Sequence, residues 1–159
     1  MTPFGERDAV YFYGRDDEVA RMVQILRRQR FMMVIGPSGS GKSSLVYAGL
    51  LPELARSRYF SQDYWVTRTM RPGADPVGAL FAAVGAQATG DHDFSPDTID
   101  SLLTQHPRAE RLLLLVDQFE EIFTQSDRDH RARFIAALQA IRASEKAALI
   151  LTLRADFYP

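Results

Sequence analysis

Cysteine is missing from all 159 residues, which excludes a disulfide framework and any thiolate metal site. Lysine is nearly missing too: Lys42 and Lys146 are the only two among 19 basic side chains, and the rest are arginine. Acids number 20, so the net charge of −1 offers no bulk attraction to nucleic acid. No apolar run approaches the roughly 20 residues of a membrane span, and Met1-Thr2-Pro3-Phe4-Gly5-Glu6 has no signal-peptide core. The expectation is a cytoplasmic protein with no membrane partner. The remaining composition, 46% hydrophobic and 25% charged, is ordinary for one globular domain.

One of the two lysines stands in the most informative segment. Gly36-Pro37-Ser38-Gly39-Ser40-Gly41-Lys42-Ser43 fits the phosphate-loop pattern G-x-x-x-x-G-K-[ST], and the apolar run Phe31–Ile35 delivers it as a strand would. Glycines there allow positive φ, so successive N–H groups can turn inward as an anion nest at a helix N-terminus. Lys42 would place a charge on the β- and γ-phosphates, and the Ser43 hydroxyl would be a ligand for Mg²⁺. Ser44 belongs to the same nucleotide-binding stretch. Preference for ATP over GTP is not legible here.

Val19, Met22, Val23 and Leu26 recur at helical spacing, so a helix is predicted from Asp16 to about Arg28. The basic run Arg27-Arg28-Gln29-Arg30 suits the end of that helix dipole better than a nucleic-acid contact. A second helix is predicted from Lys42 to about Leu51, stopped by Pro52. Tyr64–Met70 reads as a strand, Arg71-Pro72-Gly73-Ala74 as a turn and Asp75-Pro76 as a helix start. Val77, Leu80, Phe81 and Val84 mark its buried face. Gly90–Phe94 is a loop, and Ser95-Pro96 opens a helix ending before Pro107. Arg111–Val116 has the continuous apolar character of a central parallel strand. A helix spans about Arg131–Arg142, with Phe134, Ile135, Leu138 and Ile141 inward, and Ala148–Leu153 is the last strand. This alternation implies a three-layer α/β fold with a mainly parallel sheet.

Acids complete the candidate site. Leu112–Asp117 is an apolar strand ending in aspartate, where Asp117 can reach a magnesium shell. Glu120 and Glu121 follow in Gln118-Phe119-Glu120-Glu121. Either can orient or deprotonate a water at the γ-phosphate, Glu120 slightly ahead, or both simply begin a helix. Arg154, at the end of the last strand, can sense the γ-phosphate or pair with Asp156. Asp91-His92-Asp93 is a polar loop without further ligands, and His106 and His130 face no nucleophile.

Taken together, several segments resemble the bacterial novel STAND NTPase domain, a class of P-loop signalling ATPases often attached to β-propeller or other repeats. They are Tyr11–Glu18, Gly36–Leu45, Arg71–Pro76, Asp117–Glu121 and Leu151–Tyr158. The resemblance implies that Tyr13, Gly14 and Arg15 hold the adenine side of ATP or ADP. It implies a sheet of the additional-strand type, with the final strand between the phosphate-loop strand and the Asp117 strand, and Arg154 as sensor. It implies a switch: ADP holds a closed state, while ATP permits homo-oligomerisation and signalling through attached repeat or effector domains. Residues 1–159 then form a single P-loop NTPase domain, 1–30 its adenine-side segment and 31–159 its core. The family's lid is not in this sequence, so a fragment with weak or absent turnover is expected. A small-molecule kinase and a catalytically silent nucleotide-binding scaffold are the alternatives. The kinase lacks an Arg-rich lid insert after Asp117, and the paired glutamates weigh against the scaffold.

Overall fold

Four strands and the helices packed on both sides of them position everything that follows. The computed structural model describes residues 16–61, 63–86 and 93–157. Helix α1 (Asp16–Gln29) carries Asp16, Asp17 and Glu18 in its first turn and Arg27 and Arg28 in its last, both favourable to its dipole. Arg30 ends it in the left-handed region at φ 56°, and its N–H donates to the Leu26 carbonyl at 2.8 Å. The basic run is thus a helix terminus.

Strand β1 (Phe31–Gly36) leads to the phosphate loop, from which α2 (Lys42–Ser44) departs. Here the structure corrects the sequence reading. The chain does not stop at Pro52 but continues through a π-helical segment, Leu45–Leu50, into α3 (Leu51–Arg56). The Leu51 N–H donates five residues back, to Val46. This widened turn puts Pro52 in the first turn of α3, a position where proline's missing donor is tolerated.

Strand β2 (Trp65–Met70) is followed by α4 (Pro76–Ala83), capped by Asp75, whose carboxylate accepts from the Gly78 N–H at 3.0 Å. Helix α5 (Pro96–Thr104) precedes β3 (Arg111–Val116). A short α6 (Glu121–Thr124) and α7 (Arg128–Ala143), longer than predicted at its N-terminal end, lead to β4 (Ala147–Arg154) and a 3₁₀ turn, Ala155–Phe157.

All pairings are parallel, in the order β1-β4-β3-β2. Strand β4 therefore inserts between the phosphate-loop strand and the Asp117 strand, as the resemblance implies. Alternation within β3 and β4 builds two cores. Leu112, Leu114, Val116, Leu149 and Leu151 pack with α4, α5 and α7, while Leu113, Leu115, Ala148 and Ile150 pack with α1, the π segment and α3. Among the described residues five arginines lie over aromatic rings, including Arg142 over Phe31 at 4.3 Å and Arg27 over Tyr59 at 5.3 Å. Planar guanidinium stacks in a way that ammonium does not, a structural reason for arginine over lysine. Among the described residues, no helix is long and apolar enough to cross a membrane.

Candidate functional site

Parallel strands end together, so β1, β2, β3 and β4 bring their C-terminal residues to one edge of the sheet. Gly36 closes β1 where a Cβ would meet Ser40 Oγ at 2.7 Å, so a side chain there would displace the Ser40 hydroxyl. Gly39 and Gly41 adopt φ of 78° and 85°, and Ser40 N–H donates to Pro37 O at 3.1 Å. Lys42 lies back over the loop, its Nζ donating to Pro37 O at 3.0 Å. This is the strand–loop–helix context the motif requires.

Across the edge, Ser43 Oγ donates to Asp117 Oδ1 at 2.9 Å. Asp117 is only 3% exposed, and the same oxygen accepts from Thr152 Oγ1 at 2.6 Å. Two residues 74 apart in sequence, both predicted as metal ligands, thus meet. They are hard oxygen donors with a single carboxylate between them, a set that suits Mg²⁺, which keeps several waters and phosphate oxygens of its own.

Thr152 is a residue the sequence reading missed. Its hydroxyl also accepts from Gln118 N–H at 2.8 Å, and its carbonyl accepts from Phe119 N–H at 2.9 Å. These bonds hold Gln118 at φ 56°, a left-handed conformation that costs a non-glycine residue about 1 kcal/mol. The legible signal was a hydroxyl inside the otherwise apolar Ala147–Leu153, buried to 1% exposure.

The two glutamates separate. Glu121 is consumed: Oε1 accepts from Arg71 Nε at 3.1 Å and from Arg71 Nη2, and Oε2 accepts from Gly73 N–H at 2.9 Å. This carboxylate is the main reason the Arg71 guanidinium is raised above its already high pKa. Glu120 is also buried, but its Oε2 has no hydrogen-bond partner among the described residues. Burial, then the Asp117 charge, pushes the Tyr47 phenol in the π segment above its ordinary value.

Arg154 Nη2 donates to Asp156 Oδ2 at 2.9 Å, and its guanidinium lies 5.4 Å from the Phe157 ring centre. The pairing weighed from sequence is present, while Arg154 Nε is buried and meets no partner among the described residues. Lys42, Ser43, Arg71, Glu120, Glu121 and Arg154 all line one cleft of about 460 Å³, which Ser38, Gly39, Gly41 and Ser44 also border. That volume is in the usual range for small-ligand sites. Tyr13, Gly14, Arg15, Asp91 and His92 lie outside the described residues.

Comparison with known proteins agrees with this architecture. A 32% identical relative, an uncharacterized WD repeat-containing protein of Nostoc sp., aligns with 96% of this chain. The chain covers 13% of that relative's length. The solved structure of the Aeropyrum pernix ORC2 protein, in ADPNP and ADP complexes, superposes with a TM-score of 0.57. It matches 91% of this chain and 41% of its own, at 13% identity, a likeness of fold. The model of the family described as Novel STAND NTPase 1 matches residues 1–159 throughout, and this chain, with its P-loop NTPase-like fold, belongs to that family.

Proposed function

We propose that this chain is the ATP-binding, Mg²⁺-dependent and slowly hydrolysing switch module of a larger cytoplasmic signalling protein. The observation that carries the reading is the Ser43–Asp117 contact beneath the positive-φ loop. The loop's N–H groups would hold the β-phosphate region, with Lys42 turning from Pro37 O to the phosphates. Ser43 and Asp117 would hold Mg²⁺, which when bound supplies positive charge against the phosphate oxygens. Glu120 is the group available to a water. It would accept the proton as the water oxygen attacks the terminal phosphorus, and the bond to the bridging oxygen would break to release ADP. Arg154 would exchange or share Asp156 for the terminal phosphate.

Two likenesses support the finer points. The A. pernix structure holds adenine nucleotides on this fold, and the Nostoc relative carries WD repeats, in keeping with attached repeat domains that bias a switch. Oligomerisation on ATP binding is part of the same proposal.

Calorimetric titration with MgATP and MgADP tests it. Wild type should bind, and Lys42→Ala should lose detectable binding at unchanged thermal unfolding. Binding by Lys42→Ala at wild-type affinity would overturn the phosphate-loop assignment.

A further inference from the structure

Arg71, which in the sequence belongs to a turn and to the family-like segment Arg71–Pro76, presents a cation to the cleft. It follows the last residue of β2, the edge strand beyond the Asp117 strand. Its side chain is 57% exposed, against 9% for its partner Glu121. Nε and Nη2 are engaged by Glu121, and Nη2 also donates to Gln118 Oε1 at 2.8 Å. Its Nη1 group carries no hydrogen bond among the described residues. A guanidinium held through one side of its fork, with the other side free at a cleft, is oriented to receive an anion.

We propose that Arg71 contacts the terminal phosphate of a bound nucleoside triphosphate, and that Glu121 is its positioning residue rather than a base. The inference rests on the nucleotide-binding reading above and divides labour between the two glutamates. Position supports it. In the order β1-β4-β3-β2, Arg71 stands on the far side of Asp117 from the phosphate loop, so a phosphate that met it would be one extending past those the loop cradles. Charge supports it as well. Lys42, Arg71 and Arg154 balance Asp117, Glu120 and Glu121 at this edge; without Arg71 the negative side chains outnumber the positive and oppose a polyanion. Glu121 cannot readily leave this role. Both its oxygens are bonded by Arg71 and Gly73, and withdrawing them would strand a buried carboxylate.

The test titrates a non-hydrolysable ATP analogue and ADP, each with Mg²⁺, into wild type, Arg71→Ala, Arg71→Lys and Glu121→Gln, with thermal unfolding measured for each. Arg71→Ala should weaken the triphosphate about 10- to 100-fold, the scale of one charged hydrogen-bonded contact, and leave ADP within about two-fold. Arg71→Lys should recover part of the loss, and Glu121→Gln should lower triphosphate affinity while leaving ADP within about two-fold. Equal weakening of both nucleotides, or unchanged triphosphate affinity in Arg71→Ala or Glu121→Gln, would overturn the inference. If Arg71→Ala does not fold, Arg71→Lys carries the comparison: unchanged triphosphate selectivity would overturn it. Wild type that binds neither nucleotide overturns the nucleotide-binding reading, and this inference with it.

Discussion

A carboxylate with no partner among the described residues is the most telling single group at this edge. Leaving a buried polar oxygen unbonded costs about 1–3 kcal/mol, so Glu120 Oε2 is disfavoured unless water or a ligand completes it. Glu120→Gln removes the base and preserves shape. Hydrolysis should fall by about 10²–10⁴ in a steady-state phosphate-release assay, with MgATP affinity retained. Wild-type turnover would exclude Glu120 as the base. From sequence the pair Glu120-Glu121 was a choice left open, because adjacent residues of one type give no signal of which will meet a partner. What distinguishes them in the structure is Arg71, 50 residues away, which bonds Glu121. Glycine and lysine positions of the phosphate loop were legible because their roles are set by backbone geometry within eight residues. Thr152 and Arg71 were not, since each acts through a contact that only the sheet order creates.

Elements were legible where local chemistry is self-sufficient. Asp16–Gln29 declared itself by helical spacing and matched end charges, and Asp75-Pro76 by its cap. Failure at Pro52 has the opposite cause: a π turn is set by packing of Leu45, Val46 and Leu50 against the sheet, and no residue type announces it. Helix α7 began earlier than its apolar pattern because Asp127, not a core residue, starts it. Asp127 accepts from the His130 N–H at 2.8 Å and pairs with His130 Nδ1 at 2.7 Å. The His130 backbone bond, then its side-chain bond, holds the Asp127 carboxyl below its ordinary 3.8. A carboxyl lowered on folding stabilises the fold above its unfolded pKa and loses that contribution as pH falls through the lowered value. The melting-temperature gap between wild type and Asp127→Ala should therefore be full at pH 7 and shrink below the ordinary carboxylate range. A gap that persists undiminished at pH 2.5 would mean that the charge of the cap does not matter.

At the scale of the whole molecule, the site is distributed over every strand: the loop from β1, Arg71 from β2, Asp117 from β3 and Arg154 from β4. A nucleotide bridging them would join groups that now reach one another through few bonds, Ser43–Asp117–Thr152 being the main chain of contact. Because a ligand stabilises whatever state binds it, this arrangement predicts a global rather than local effect. At 100 times its Kd, a nucleotide adds about 2.7 kcal/mol, which for a domain of this size raises the melting temperature by about 5–10 °C. The rise should depend on Lys42, and amide exchange should slow at the C-terminal ends of all four strands together. Protection confined to the loop after β1 would mean that β2, β3 and β4 do not sense the nucleotide. A switch needs that sensing, since attached repeats can bias only a state that extends beyond the phosphate loop.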